Sequence, residues 1–382
     1  MLRLAICKPQ NFSEFTKSLF TFSEIRVEYK QKGVLQMFSQ NLKYYRLKNN
    51  LTKKELAEKV NVAPMTISHY ESGQRKPSME ILKALASVLG VRVSDFLAVR
   101  NQNLVFSHGD FRKASTLSKG QQEYVRESVE EYFSRFMTVV EILGGDVLPD
   151  APACRALNLS ADDEENAQAM RRHLDLSAEG PIEDLIGRLE DKGILVYELQ
   201  MDGSGFSGMN GFVSDRPYIV YNHDMSTERN RSTIAHELAH LLFIWPEDME
   251  QSEVEAKATS ISGAFLFPAE DAKRELGLRR RSISNDMTTV AMEYGISMMM
   301  LAKRAQVLGI VSDSAYRDFC IRASKMGWRN NEPSRIPEEN PRLFAQLVGR
   351  AVNEEDISLQ RGAELLKVPY EQIVQLCCYS EV

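Results

Sequence analysis

The sequence concentrates the side chains best suited to metal chemistry in Ser232–Phe243, which reads STIAHELAHLLF. Within it, His236, Glu237 and His240 form the pattern H-E-x-x-H. The segment lacks Gly and Pro and is rich in Leu and Ala, which favours a helix. Residues four apart lie on the same side of a helix, so the two imidazoles can share one cation. A catalytic zinc takes three protein ligands and leaves one position for water.

Glu237 would lie beside the two imidazoles, where its carboxylate can take a proton from that water. The pattern fixes only three positions and also occurs by chance, so the alternative is an amphipathic helix with two surface histidines. However, the surrounding sequence is apolar, and burying these polar groups without a role would be costly. The two histidines are also two of only six in the chain. The pattern therefore predicts a zinc site with Glu237 as the general base.

The residues after His240 narrow the class of zinc protein. A metzincin needs Gly three residues later and His or Asp six residues later, but Phe243 and Pro246 stand there. That class is excluded, and the third ligand must lie further along. A second helix is predicted from about 252 to 267, because Pro268 ends it.

Two carboxylates of this second helix are candidates for the third ligand. Glu253 and Glu255 flank its apolar stripe on opposite sides, and helical geometry alone does not choose between them. The helix also carries many small residues, which would let it approach the histidine helix closely.

The segment HELAHLLF, followed by EAKATSISGAFLFP from Glu255 to Pro268, resembles the ImmA/IrrE family of bacterial zinc metallopeptidases. In that family the Glu opening the second helix is the third zinc ligand. The resemblance therefore implies that His236, His240 and Glu255 hold one Zn²⁺ per chain. The chain departs from the family in mid-helix, where Thr259 replaces the usual Asn, and we expect this to affect packing more than ligation. The run GPIEDLIGRLEDKGILV, further upstream, also resembles the start of the family's peptidase domain.

Composition and charge bound the remaining possibilities. The 382 residues suffice for two or three domains, and 43% hydrophobic with 26% charged residues is ordinary for a soluble globular protein. No apolar run approaches the ~20 residues of a membrane span, and no signal peptide is evident. The five cysteines form no C-x-x-C pair and suit a reducing compartment. We therefore expect a cytoplasmic protein with no membrane partner.

The net charge of −6 is distributed unevenly. Residues 37–100 carry 11 Lys and Arg against 5 Asp and Glu, a net charge of +6. Residues 1–36 carry a net charge of +3, and the remainder carries −15. A basic module joined to an acidic body indicates that only the first contacts phosphate.

Residues 37–100 are predicted to form an all-α helix-turn-helix domain. Thr52 and Glu55 have the spacing of a capping box that opens one helix, and Pro64 starts the next. The stretch LTKKELAEKV, followed by TISHYESGQRKPS, resembles the XRE (Cro/C1-type) repressor family across the whole domain. By this resemblance the domain binds DNA, and analogy with other XRE-type heads suggests a homodimer. The alternative is a helical protein-interaction module.

The helix that starts at Pro64 would enter the major groove with its N-terminus first. Its polar side chains would reach base edges, and neighbouring basic side chains would hold phosphates. The predicted base contacts are Thr66, Ser68 and His69, and the predicted phosphate contacts are Lys53, Arg75 and Lys76.

The expected fold is mainly α with a small antiparallel β-sheet (α+β). Its parts are an extension (1–36), the helix-turn-helix head (37–100), a linker (101–118), a zincin-like peptidase domain (119–311) and a helical C-terminal region (312–382). An edge strand of the sheet, lying beside the zinc cleft, could hold a peptide substrate by strand addition. Residues 1–36 are either a poorly ordered extension or lie upstream of a true start at Met37.

The combined expectation is a zinc-dependent endopeptidase fused to a DNA-binding domain. The family resemblance implies a protein substrate, typically a repressor of stress or mobile-element genes. The main alternative is a DNA-binding regulator or antitoxin-like autorepressor whose peptidase domain acts as a sensor. A third hypothesis is self-cleavage within the linker 101–118.

Overall fold

A computed structural model describes residues 22–98, 100–101, 103–109, 117–201, 205–328, 332–333 and 335–378, with backbone alone at 22–32. The chain divides into two compact units, Met1–Arg100 and Asn101–Val382. The hypothesis of a start at Met37 concerns an extension that falls mostly outside the described residues.

The head is all α, as predicted. The capping box forms as expected, with Glu55 N donating to Thr52 Oγ1 at 3.2 Å and Thr52 N donating to a Glu55 carboxylate oxygen at 2.7 Å. The first helix is described from Phe22 onward and so extends upstream of the head boundary predicted at residue 37. The helices are α1 (Phe22–Lys48), α2 (Lys53–Lys59), α3 (Pro64–Glu71) and α4 (Met79–Leu89), followed by a 3₁₀ turn at Val93–Leu97.

An ion pair ties α1 to α3 inside the head. Arg46 Nε lies 2.5 Å from a carboxylate oxygen of Glu71, and both side chains are almost fully buried. Leu42, Leu56 and Ile67 are completely buried in the core of the head. A partner for each buried charge is what allows the pair to lie against an apolar core.

The second unit contains the sheet and the predicted zinc helix. It contains β1 (Phe106–His108), α5 (Lys119–Ile142), β2 (Leu157–Asn158), α6 (Asp163–His173), α7 (Leu185–Asp191), β3 (Leu195–Leu199), β4 (Gly208–Val213), β5 (Arg216–Asn222), α8 (Thr227–Leu242), β6 (Phe243–Ile244), α9 (Gln251–Leu266), α10 (Ala269–Leu276), α11 (Met287–Glu293), α12 (Met298–Val307), α13 (Asp313–Lys325), α14 (Leu343–Asn353), α15 (Leu359–Leu366) and α16 (Tyr370–Cys377).

The main sheet has the strand order β1-β4-β5-β3. β4 and β5 are antiparallel, as predicted, whereas β3 runs parallel to β5 with Leu195 opposite Tyr218. The sheet is therefore mixed rather than antiparallel. β1 pairs antiparallel with β4 and comes from 101–118, so part of the predicted linker is a strand of this unit. A short parallel pair, β2 with β6, lies apart from this sheet.

Helices cover both faces of the main sheet. Ile219 and Tyr221 of β5 pack into the core that holds α8, whereas Tyr218 and Val220 pack into the core that holds α5. This alternation follows from the two-residue period of a strand. With helices on both faces, every residue of β5 after Arg216 is buried.

The C-terminal helices pack into the same unit. α13 contributes Phe319 to the α8 core, and α14 contributes Phe344 and Val348 to the α5 core. The boundary predicted between 311 and 312 therefore does not separate two compact units. None of the helices in the described ranges combines the length and the hydrophobicity of a membrane span.

Candidate metal centre

The centre is built on two helices packed side by side. α8 carries His236, Glu237 and His240, and α9 carries Glu255. Ala258 of α9 is buried in the same core as α8, and its small side chain is of the kind that the sequence predicts for close approach, whereas the space beside Gly263 is filled by Arg304 of α12.

Two buried arginines hydrogen-bond to the C-terminal end of α9. Arg171 of α6 donates to the carbonyl of Phe265 at 2.8 Å, and Arg304 of α12 donates to the carbonyl of Phe267 at 3.1 Å. Burial lowers the pKa of Arg171 to about 10, so its side chain remains a cation at neutral pH. These contacts satisfy the carbonyls at the end of α9 and fix the helix against its neighbours.

Three candidate ligand side chains converge on one point. His236 Nε2 lies 3.1 Å from His240 Nε2 and 3.2 Å from Glu255 Oε2. His240 Nε2 lies 3.5 Å from Glu255 Oε1. One donor atom from each residue falls within 4.8 Å of the others, and no other group of three or more potential ligands occurs in the described part of the chain.

The chemistry of this donor set fits a divalent metal. Thr259 Oγ1 donates to the carbonyl of Glu255 at 2.8 Å, so its free lone pair faces His236 Nδ1 at 3.3 Å. That contact places the His236 proton on Nδ1 and leaves the Nε2 lone pair directed at His240 and Glu255. Two imidazoles and a carboxylate are zinc ligands of the type found in catalytic sites.

The structure shows which of the two candidate carboxylates, Glu253 or Glu255, lies with the histidines. Glu255 is partly buried and contacts both histidines, whereas Glu253 is exposed on the surface of α9 and is not in the cluster. His223, in the loop after β5, lies outside the cluster as well. Its Nδ1 is 3.3 Å from Oε1 of Glu198 on β3.

Glu237 faces β4. Asn210 Nδ2 donates to Glu237 Oε2 at 2.7 Å. The approach of strand to helix is close at Gly208, where a Cβ would lie 2.5 Å from Thr233 Cγ2 and 3.4 Å from Glu237 Cγ. A glycine there lets β4 bring the Asn210 amide to the carboxylate.

Sequence reasoning missed Asn210 and underestimated Thr259. Asn210 precedes Glu237 by 27 residues, and the alternation of β4 alone does not show which polar side chain meets α8. Thr259 was expected to affect packing, but its hydroxyl contacts a histidine of the cluster. Its spacing of four residues from Glu255 was the available signal, since i and i+4 share one helix face.

The head presents the predicted DNA contacts on and around α3. Ile67 and Tyr70 bury one face of this helix, whereas its polar residues remain partly exposed. Thr66, Ser68 and His69 are half-buried, and Lys53, Arg75 and Lys76 are exposed. Lys53 also lies 3.4 Å from a carboxylate oxygen of Glu71.

Two protein families match the chain. The helix-turn-helix family matches residues 42–96, which include α2, α3 and α4. The IrrE N-terminal-like domain family matches residues 189–306, which include the whole candidate metal centre.

Three curated relatives share short stretches with the chain. The "Uncharacterized HTH-type transcriptional regulator MJ0272" of Methanocaldococcus jannaschii is 41% identical over 54 residues, 14% of this chain and 82% of that protein. The putative multi-protein-binding factor 1 of Yarrowia lipolytica is 40% identical over 48 residues, and the match spans 13% of this chain and 32% of that protein. The HTH-type transcriptional activator BcrR of Enterococcus faecalis is 36% identical over 61 residues, 16% of this chain and 30% of that protein. The chain thus belongs to the XRE-type helix-turn-helix family and joins that head to an ImmA/IrrE-type domain.

Proposed function

We propose that the protein is a DNA-binding regulator with a zinc-dependent endopeptidase in the same chain. The observation that carries the proposal is the convergence of His236, His240 and Glu255 beside Glu237. The IrrE N-terminal-like match over 189–306 supports it, because that region contains all four residues. The proposal retains the cytoplasmic location and the protein substrate, in particular a repressor, expected from the sequence.

In this proposal His236, His240 and Glu255 would hold one zinc ion, and the chemistry it would supply there is that of a Lewis acid that makes water a nucleophile near neutral pH. Glu237 accepts the proton of the attacking water and later passes it to the leaving amine. Asn210 orients the Glu237 carboxylate through its 2.7 Å hydrogen bond. Thr259 holds His236 in the tautomer that a metal requires.

The head supplies the regulatory part of the proposal. Its helix-turn-helix match and its basic charge support DNA binding through α3. Thr66, Ser68 and His69 would contact bases, and Lys53, Arg75 and Lys76 would contact phosphates. Binding as a homodimer would follow the usual symmetry of such heads.

Zinc stoichiometry by native mass spectrometry of the full chain tests the metal site. We expect one zinc per wild-type chain, loss of zinc in Glu255→Ala, and retention of zinc in the matched control Glu253→Ala. No bound metal after zinc loading of the wild type would refute the peptidase proposal.

Two of the relatives are named as transcriptional regulators, which favours a second function in which the chain acts mainly as a transcriptional regulator. In that case the metal domain would sense a partner rather than cleave it. A promoter-binding and reporter assay with Glu237→Gln separates the two. Loss of regulated expression in this variant supports the peptidase, and full regulation supports the sensor.

A further inference from the structure

The edge of β4 next to the Glu237 carboxylate is paired with a segment of the same chain. The short strand β1 runs antiparallel to β4 and lies at the outside of the sheet. Phe106 lies opposite Val213, Ser107 opposite Phe212, and His108 opposite Gly211. The pairing therefore covers β4 from Gly211 to Val213.

The pairing continues past β1 towards the candidate metal centre. Gly109 N donates to the carbonyl of Asn210 at 2.7 Å, and the side chain of Asn210 donates to Glu237 Oε2 at 2.7 Å. The main chain at Gly109 is therefore two hydrogen bonds from the proposed general base. A Cβ on Gly109 would lie 2.9 Å from the Asn210 carbonyl oxygen, so this approach requires the absence of a side chain.

The side chain of His108 anchors β1 on the face of the sheet that packs against α5. His108 Nδ1 lies 2.6 Å from the Tyr218 hydroxyl, and Nε2 lies 3.2 Å from Glu130 Oε1 of α5. Burial raises the pKa of the Tyr218 hydroxyl, and the two contacts together hold the imidazole between Tyr218 and Glu130. Because Tyr218 packs in the α5 core, this anchor lies on the far side of the sheet from α8.

An extended peptide that adds a strand to β4 needs the same main-chain donors and acceptors that β1 now uses. We propose that residues 103–109 are a built-in competitor for this edge, so that a protein substrate reaches Glu237 only by displacing β1. The inference rests on the proposed function, because it assigns the regulation of that site. The segment is held by its pairing with β4, by the packing of Leu104 and Phe106 against the α5 core and by the His108 contacts, so a substrate must replace these contacts to reach the edge.

Peptide binding to the metal-free full chain tests the inference by fluorescence anisotropy. The probe is a fluorescein-labelled peptide with the sequence of residues 103–109, NLVFSHG. We expect the probe to bind His108→Ala at least tenfold more tightly than wild type, because the internal strand loses its anchor while Tyr218 and Glu130 remain. Ser107→Ala is the matched control, since Ser107 is exposed, and should leave the affinity unchanged.

A reversible lock provides the second variant, in case His108→Ala does not fold. Ser107 and Phe212 lie directly opposite in an antiparallel pair. Opposed Cα atoms in such pairs are about 4.5–5.5 Å apart, within the range of a disulfide, so the pair Ser107→Cys and Phe212→Cys can be cross-linked. The oxidised form should lose probe binding, and reduction of the same sample should restore it.

Two outcomes would overturn the inference. Equal probe affinity in wild type, His108→Ala and the oxidised lock would mean that β1 does not compete for the edge. Tighter binding to the oxidised lock would mean that peptides add to the outer edge of β1 instead. Because the measurement uses metal-free protein, a failure of zinc binding would sink the proposed function without changing this result.

Discussion

The side-chain amide of Asn210 donates a 2.7 Å hydrogen bond to the Glu237 carboxylate, joining β4 to the helix that carries the two histidines. A group that orients a general base affects turnover more than metal binding. We expect Asn210→Ala to keep one zinc per chain and to cleave labelled casein about 10- to 100-fold more slowly, the usual range for an outer-shell partner. Unchanged kcat in this variant would exclude the orienting role.

Thr259 gives a different prediction, because its hydroxyl contacts His236 rather than the general base. Thr259→Val keeps the shape and removes the acceptor for Nδ1–H, so zinc affinity should fall about 10- to 100-fold. Thr259→Ser retains the hydroxyl and should restore most of the affinity. Competition with a chromophoric chelator measures both variants, and equal affinity in Val and Ser variants would contradict the prediction.

The head should distinguish base contacts from phosphate contacts. Arg75→Ala should reduce the slope of log K against log salt by about 1 and weaken binding to all sequences similarly. Thr66→Ala should leave the slope unchanged and alter the preferred sequence in a selection from random duplexes. Lys83→Ala, an exposed charge on α4, is the control that should change neither property strongly.

Acid should weaken the buried ion cluster of Glu131, Arg135 and Lys367, in which α5 meets the end of α15. Burial of the Glu131 carboxyl disfavours its ionisation, but Arg135 and Lys367 outweigh this and lower its pKa to about 2. The folded pKa lies below the ordinary value of 4.5, so the stabilisation is present above pH 4.5 and is lost as the pH falls towards 2. It amounts to about 3 kcal/mol.

Urea unfolding of wild type and Glu131→Gln checks this. The difference in free energy of unfolding should be about 3 kcal/mol at pH 6 and should shrink to roughly half at pH 3. A difference that stays constant between these pH values would show that the carboxylate is not the source of the acid sensitivity.

The sequence predicted what local patterns determine. The capping box at Thr52, the head helices and the helix carrying the histidines follow from spacing, propensity and caps. The parallel pairing of β3 with β5 could not be predicted in this way, because strand direction depends on contacts between distant segments. β1 was missed for the same reason, since its three residues become a strand only by pairing with β4.

In the candidate metal centre too, residues placed by local spacing could be predicted, whereas residues placed by tertiary packing could not. His236, Glu237 and His240 lie within one helical turn, so their spacing alone predicts that they cluster. Glu255 was selected over Glu253 by family resemblance, because the packing of α9 against α8 decides which carboxylate faces inward. The Asn210 contact depends on how the sheet sits on the helix, and no short pattern contains that information.

Two hydrogen bonds from Asn101 to α5, just before β1, bear on how mechanical load along the chain would reach the sheet. Asn101 is fastened to α5 twice, by its backbone N–H to the Ser134 hydroxyl and by Nδ2 to Glu141 at 2.6 Å. Tension arriving along the chain from the N-terminal side would be carried into α5 before it could peel β1 from β4. Such tension would have to break both hydrogen bonds before it reached the strand beside Asn210.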